Sequence, residues 1–357
     1  MASGTGWDQD RNMNETEKKA GTAKIEDVAK EASVSIMSVS RVMRGVEGVS
    51  AAKRSEIRRI ARRLGYSPSR VAGSLAAANS TLIGISVPTL FEAVFAEILD
   101  GMRNIFNRAG LQTIVETTDY LESFEEKWVE RMISWNPAGL ILSGVYHSKT
   151  TMKRLRNAGI PTLEIWDHTE TPIDMCIGVN HLSAGYDMGC HLVALGYRNP
   201  AYVGVSLNRD PRAEDRFEGL TKAFAEVGTN IRANSRLATA ASFEGGMVGT
   251  ADILNNADEQ PDVLCFLNDH MAFGGMMECE RRTLRVPKNI GVVGFNGLNI
   301  NEVLPKQITT SVTPRTLMGA TGARMLVSKI SGAKTEQSIL MPVEIFAGDT
   351  TRKIEPT

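Results

Sequence analysis

The sequence contains no uninterrupted apolar run of the length, about 18 residues, that a membrane-spanning helix needs. Its polar N-terminus also lacks the hydrophobic core of a secretion signal. A cytoplasmic chain without a membrane span is therefore expected. Cysteine is scarce: Cys176, Cys190, Cys265 and Cys279 lie far apart, with no CxxC pair and no zinc-finger spacing, so reduced thiols are expected rather than a disulfide framework or a structural zinc site. The five histidines, at positions 147, 168, 181, 191 and 270, show no HExxH spacing. There is no GxxxxGK[ST] phosphate loop and no GxSxG nucleophile elbow. Gly84 and the pairs Gly245–Gly246 and Gly274–Gly275 stand isolated and carry no cofactor signal. These absences argue against the common hydrolase, nucleotide-binding and metalloenzyme classes; no catalytic set, metal or cofactor is expected.

What is present is an ordinary globular composition, 42% hydrophobic and 23% charged. At 357 residues the chain is too long for one simple core and suggests two or three compact units. The net charge of −1 conceals an asymmetry. Residues 21–80 carry eleven Lys and Arg against five Asp and Glu, a net +6, whereas residues 81–357 carry a net −6. A small basic unit joined to a larger acidic one points to a polyanionic partner at one end only.

Residues 1–20 are polar and read as a disordered tail. Residues 21–67 hold three short helical patterns. The first, Ile25 to Ala32, places Ile25, Val28, Ala29 and Ala32 on one face. The second opens at the N-cap Ser35 and runs to Met43 with Val39, Val42 and Met43 inward. The third opens at Ser50 and ends at Leu64, with Gly65 as the C-terminal stop. From residue 81 onward, short apolar runs alternate with amphipathic stretches. Eight strands are expected, at Leu82–Val87, Gln112–Thr117, Gly139–Leu142, Thr162–Ile165, Asp174–Val179, Ala201–Val205, Val263–Leu267 and Ile290–Phe295, with helices between many of them. That alternation implies parallel sheets covered by helices, and so many strands suit two α/β lobes. Ligands then bind beyond the carboxyl ends of the strands or between the lobes.

Two short helices separated by Ser33–Val34 fit a helix-turn-helix. If Val39, Val42 and Met43 face inward, Ser35, Ile36, Met37, Ser40 and Arg41 at the start and outer face of the second helix are placed to enter a DNA major groove, with Arg44 just beyond. Arg41 can grip a guanine in a bidentate contact, whereas Ile36 and Met37 can only meet or exclude a thymine methyl. Lys53, Arg54, Arg58, Arg59, Arg62, Arg63 and Arg70 supply charge for phosphates. The alternative is a small helical bundle used for protein contacts, which exposed Ile36 and Met37 also suit.

Several motifs in order carry a resemblance. Ile25-Glu26-Asp27-Val28-Ala29, then Val39-Ser40-Arg41-Val42, Val49-Ser50, and Leu64-Gly65-Tyr66-Ser67-Pro68 resemble the headpiece of the LacI/GalR family of bacterial repressors. Later stretches, among them Asn268-Asp269 and Gly294-Phe295-Asn296-Gly297, resemble its gluconate-utilisation branch. Two departures stand out: Lys24 and Ser33 occupy positions where the family usually has Thr and Gly, and loss of the Thr cap is expected to weaken the first helix by about 1 kcal/mol. The resemblance implies a helix-turn-helix headpiece (21–67), a hinge helix and linker (68–80) and a two-lobed, periplasmic-binding-protein-like effector core (81–357). Lobe one would take residues of about 81–180 and 312–339, lobe two about 181–311 and 340–357. The hinge, Ser69 to Ala76, would order on DNA, with Arg70 and Ala72 at the minor groove and Leu75 as the wedge that opens the central base step; the alternative is a plain linker with Leu75 buried against the core.

For the effector, the resemblance implies that Arg216 grips the ligand, that Asn268 contributes a polar contact at a strand end, and that Asn296 stands where sugar-binding relatives usually carry Asp. An amide in place of that carboxylate no longer repels an anion, so with Arg216 the cleft is expected to take an acidic polyol such as gluconate. Phe95 would wall the ligand or else belong to the core, Asp167 would take a sugar hydroxyl or else be a loop carboxylate, and His147 is a further pocket candidate. Asp269 reads as a cap for the helix that follows it. The expected partners are a near-palindromic double-stranded operator, a small-molecule effector and a second copy of the chain. The rival readings are a regulator responding to a neutral sugar or another metabolite, or a sugar-acid-binding enzyme or transport protein on the same two lobes.

Overall fold

The computed structural model describes residues 23–43, 45–67, 80–91, 93–206, 210–237 and 241–354. Arg44 and the hinge residues Arg70, Ala72 and Leu75 fall outside them. The chain divides into two compact units, Met1–Asn79 and Ser80–Thr357.

The first unit contains α1 (Ile25–Glu31), α2 (Ile36–Met43) and α3 (Ala51–Arg63). Val28, Ala29, Ala32, Val39, Val42, Ile57, Ile60 and Ala61 interlock as its core. The helix starts are set by side chains. Ser35 Oγ accepts the Ser38 N–H at 3.2 Å, and Ser50 Oγ accepts the Lys53 N–H at 3.4 Å. Lys24 has no side-chain acceptor to offer α1. Instead the Asp27 carboxylate reaches back and accepts the Lys24 N–H at 2.8 Å, supplying the second half of a capping box and offsetting part of the missing cap. Ser33 adopts φ 51°, the left-handed turn conformation that a glycine would take without strain.

The second unit is built on two six-stranded sheets. The first holds β1 (Leu82–Val87), β2 (Gln112–Thr117), β3 (Gly139–Ser143), β4 (Thr162–Asp167), β5 (Met175–Val179) and β11 (Ser338–Leu340), in the order β11-β5-β4-β3-β1-β2, all parallel. With it run α4 (Ala93–Arg108), α5 (Glu122–Ser134), α6 (Lys149–Ala158) and α11 (Arg315–Ile330). The second holds β6 (Pro200–Val205), β7 (Ala233–Leu237), β8 (Val263–Phe266), β9 (Gly291–Asn296), β10 (Thr309–Val312) and β12 (Glu344–Phe346), in the order β12-β10-β9-β8-β6-β7. Here only β12 is antiparallel to its neighbour. Its helices are α7 (His181–Ala194), α8 (Pro211–Ala225), α9 (Phe243–Asn256) and α10 (Asp269–Arg281). The chain passes between the sheets three times, after β5, after β10 and after β11. Buried aliphatic residues of the strands, such as Ile83, Ile85, Ile141, Leu163 and Ile165 in one lobe and Val203, Leu264, Val292 and Val293 in the other, build two separate cores.

The eight expected strands are all present within a residue or two at each end, and β7, β10, β11 and β12 are additional. The glycine pairs that looked purposeless lie where helices cross: a Cβ on Gly246 would strike the Met271 carbonyl, and one on Gly274 the Phe243 carbonyl. Among the described residues no helix is long and apolar enough to cross a membrane.

Candidate functional site

In the headpiece, the amphipathic pattern of α2 puts Val39 and Val42 in the core and turns its other face outward. Ile36 is 48% exposed and Met37 64%, and Arg41 is also exposed. Burying residues of this size is worth about 1.5–3 kcal/mol each, so leaving two of them in water marks a contact surface. Ser35 is first a cap: its hydroxyl holds the Ser38 amide and pairs with the Ser38 hydroxyl at 3.0 Å. Ser40 is half-buried on the same helix. Of the basic side chains expected at phosphates, Lys53 is paired with Glu56 at 2.8 Å, Arg63 pairs with Glu31, and Arg54 donates to the Val49 carbonyl at 3.4 Å. Arg58, Arg59 and Arg62 lie exposed along α3.

In the core, the carboxyl ends of β1, β3 and β4 and the N-terminus of α8 surround a cleft of about 250 Å³, lined among others by Tyr120, Ser143, Tyr146, Asp167 and Arg212. That volume lies just below the usual range for ligand pockets, about 300–1,000 Å³, and suits a small, sugar-sized molecule. Arg212 comes from lobe two and the rest of this group from lobe one, so the cleft lies between the lobes. Asp210 caps α8 by accepting the Arg212 N–H at 3.3 Å, Pro211 opens the helix, and the Arg212 guanidinium folds back on Asp210 at 2.8 Å. Its Nη1 reaches Ser143 Oγ across the cleft at 3.4 Å, and its plane lies over the Tyr120 ring at 5.5 Å. Burial works against both charges. Even so, Asp210 is held below the ordinary carboxylate range by Arg212 and Arg216, and Arg212 is raised by Asp210 and Asp167.

Asp167 is buried, yet among the described residues neither carboxylate oxygen has a hydrogen-bond partner. His181 Nε2 lies 3.0 Å from Oδ1, but off the hydrogen-bonding direction. Arg212 Nε is 3.9 Å away. A buried carboxylate left this way costs several kcal/mol unless something completes it. The residue before it, Trp166, has φ 89°. Lobe two mirrors the arrangement at the end of β9: Asn296 has φ 107°, and its buried Oδ1 also lacks a hydrogen-bond partner among the described residues. Strained residues beside orphaned polar atoms at strand ends are characteristic of binding sites.

Arg216 projects one helical turn beyond Arg212. Its Nη1 lies 3.0 Å from His181 Nδ1, and its guanidinium stacks 4.4 Å from the centre of the Phe295 ring. α7 and α8 can come this close because Gly185 and Gly219 sit at their crossing, where a Cβ would strike the Arg216 and Leu182 carbonyls. Burial keeps the His181 pKa below its ordinary value, outweighing Asp167. His181 also continues a chain of rings, Phe95–Trp166–His181–Phe295, at centroid distances of 6.2, 5.4 and 6.0 Å.

The structure thus places Asp167 in the cleft lining, Asn296 at the end of β9 and Arg216 against the neighbouring Phe295 ring, and it places the other expected residues elsewhere. Phe95 is packed in the lobe-one core, edge-on to Trp166. Asn268 is itself the cap of α10. It accepts the Met271 N–H at 2.9 Å and donates to the Ala241 carbonyl at 3.3 Å, so both polar atoms of its amide are engaged. The expectation that Asp269 caps this helix is corrected: fully buried, Asp269 accepts instead from Thr310 Oγ1 at 2.6 Å and the Leu298 N–H at 2.7 Å. His147 stands behind the cleft wall. Its Nδ1 meets Glu125 at 2.7 Å, and its Nε2 the Gly144 carbonyl at 3.0 Å and Glu164 at 3.5 Å. Burial pulls its pKa down, but the two carboxylates prevail and carry it up to about 10. Arg212, Ser143, Tyr146 and His181 were missed. For Arg212 a signal was available: the Asp210-Pro211 helix start puts it four residues before Arg216, on the same face.

A small helical headpiece with an exposed apolar surface, followed by a two-lobed core with an interlobe cleft, is the architecture of a DNA-binding regulator. Comparison with known proteins narrows this. The family described as bacterial regulatory proteins, lacI family, matches residues 24–69, and a periplasmic binding protein-like domain matches residues 190–351. The HTH-type transcriptional regulator GntR of Escherichia coli K12 is 32% identical over 316 residues, covering 88% of this chain and 94% of that protein. The regulator IdnR of the same strain is 32% identical over 329 residues, covering 91% and 98%. A lacI family regulator from Silicibacter pomeroyi superposes with a TM-score of 0.87 at 33% identity, covering 92% of this chain and all of that one. The lac repressor dimer bound to operator and the anti-inducer ONPF gives a TM-score of 0.78 at 25% identity over 92% of this chain and 99% of that one. The chain belongs to the lacI family of DNA-binding transcription regulators, and these relatives are regulators rather than enzymes.

Proposed function

We propose that this chain is a repressor that binds a near-palindromic operator as a homodimer and releases it when a sugar acid such as gluconate fills the interlobe cleft. The observation that carries the reading is the buried Asp167 carboxylate, which accepts no hydrogen bond among the described residues although His181 and Arg212 face it, in a sugar-sized cleft that also holds the Arg212 guanidinium. Two free acceptors call for hydroxyl donors, and a guanidinium calls for a carboxylate or a hydroxyl pair; an aldonate offers both. The similarity to the gluconate branch and to GntR and IdnR supports the same class. Edge strand β2, with Ile114 and Val115 exposed, supports a homodimer, as does the likeness to the lac repressor dimer. Effector binding would favour one lobe arrangement and thereby change how the two headpieces meet the half-sites. Arg70, Ala72 and Leu75 would act at the minor groove, and Leu75→Ala is expected to weaken operator binding strongly in a gel-shift titration while leaving effector binding unchanged.

One observation favours a neutral sugar instead: Glu122 and Glu125 also line the cleft. Calorimetric titration of gluconate and other aldonates against the matching neutral sugars separates the two. Binding of aldonates alone supports the proposal, and binding of a neutral sugar alone overturns the sugar-acid reading.

A further inference from the structure

Arg315 is the first residue of α11, where the helix dipole disfavours a cation. It is also buried, and it belongs to the helix that packs on lobe one. Its place is explained by what it holds. Nη1 donates to the Asn296 carbonyl, and to Thr313 Oγ1 at 2.8 Å; Nη2 donates to the Gly297 carbonyl at 3.0 Å. Nε is paired with Glu97 Oε2 of α4 at 2.8 Å, a contact 218 residues apart in sequence. α4 and α11 come close enough for this because Gly101 and Gly319 lie at their crossing, where a Cβ would strike the Thr316 and Ile98 carbonyls.

The turn that Arg315 grips is pinned from its other side as well. The Leu298 N–H donates to Asp269, and the Gly297 N–H to Thr310 Oγ1 at 3.3 Å. The Asn296 and Gly297 carbonyls and the Gly297 and Leu298 amides are therefore all engaged, with φ held at 107° and 67° at Asn296 and Gly297. Within this braced segment, the Asn296 side-chain oxygen remains buried and unpartnered.

We propose that Arg315, anchored by Glu97, is a positioning residue: it holds the left-handed Asn296 turn in the shape that offers the Asn296 amide to the effector, and it ties that turn to α4 of lobe one. This rests on the reading of the cleft as the effector site and adds the residues that set its geometry. Because Arg315 and Glu97 act through Asn296, their contribution disappears once Asn296 can no longer contact the ligand.

The test is a double-mutant cycle on the full-length protein, with gluconate as the calorimetric probe. Glu97 is partly exposed and Gln keeps its shape, so Glu97→Gln should fold with operator affinity in the absence of effector within about twofold of the unmodified protein. It should weaken gluconate binding about tenfold, as should Arg315→Lys, which keeps the charge but not the fork. The Asn296→Ala/Glu97→Gln double variant should bind no more weakly than Asn296→Ala alone. Additive losses, or unchanged gluconate binding in Glu97→Gln, overturn the proposal. If the unmodified protein binds neither gluconate nor neutral sugars, the effector reading fails, and hydrogen exchange at the Leu298 amide then decides the positioning role. Exchange about tenfold faster in Glu97→Gln supports it, and unchanged exchange overturns it.

Discussion

The headpiece and the effector core carry opposite anomalies. The headpiece holds its helix starts with Ser35, Asp27 and Ser50, and leaves large apolar side chains, Ile36 and Met37, in water. The core pairs its helices and strands densely and, among the described residues, leaves polar atoms such as those of Asp167 and Asn296 without a hydrogen bond in its interior. Water is the wrong neighbour for the first pair and protein the wrong neighbour for the second. On the proposed function, each mismatch would be relieved by a partner of the matching kind: base methyl groups in a groove for the apolar surface, a hydroxyl-rich ligand for the buried carboxylate. Where burial and chemistry disagree, function is the economical explanation in both units, although the sign of the disagreement is reversed.

This comparison is broken most forcefully at Arg212. Arg212→Ala leaves Asp210 and Asp167 without their cation, and should cost effector binding about 3 kcal/mol, on the order of a hundredfold, by calorimetry. Operator affinity without effector should be preserved, and equal losses in both would assign Arg212 to the fold alone. A smaller effect is expected at His147. Its folded pKa of about 10 lies above the ordinary 6.5, so its pairing with Glu125 and Glu164 stabilises the core fully below about pH 6.5 and loses that contribution as the pH rises towards 10. The melting temperature of the core should fall across this window, and His147→Gln should remove that part of the fall. In the headpiece, Met37→Ala should weaken operator binding by about 1 kcal/mol, roughly fivefold, in fluorescence anisotropy. Because Met37 is 64% exposed, the same change should leave headpiece melting unaltered. The smallest effect is a gain: Ser33→Gly relieves a residue at φ 51° and should raise headpiece stability by about 0.5 kcal/mol in denaturant titration.

The two units also differ in how much of them could be read from the sequence. Headpiece helices announce themselves by caps and by a period of 3.6, and the strands of the core by short apolar runs. β7 and β10 escape this reading because ANSRL is a polar edge strand and TTSV buries hydroxyls rather than aliphatic groups. The resemblance pointed to Arg216 and Asn296, whose surroundings do contain orphaned or stacked groups. The Asn268 cap, three residues before Met271, is a local signal that the resemblance overrode. The bond from Thr310 to Asp269, 41 residues away, depends on the meeting of a helix and a strand distant in sequence, and no local pattern encodes it. Arg315 illustrates the point: it is one more arginine in the sequence, and becomes distinctive through the lobe it reaches across to.

The central claim joins the two units, and one experiment addresses it directly: fluorescence anisotropy of an operator, selected from random duplexes, titrated with the full-length protein in the presence and absence of gluconate. The account predicts a near-palindromic operator, release by gluconate but not by glucose, and loss of that release in Arg212→Ala with DNA binding intact. Operator binding that no sugar acid alters, or release by the neutral sugar alone, would contradict it.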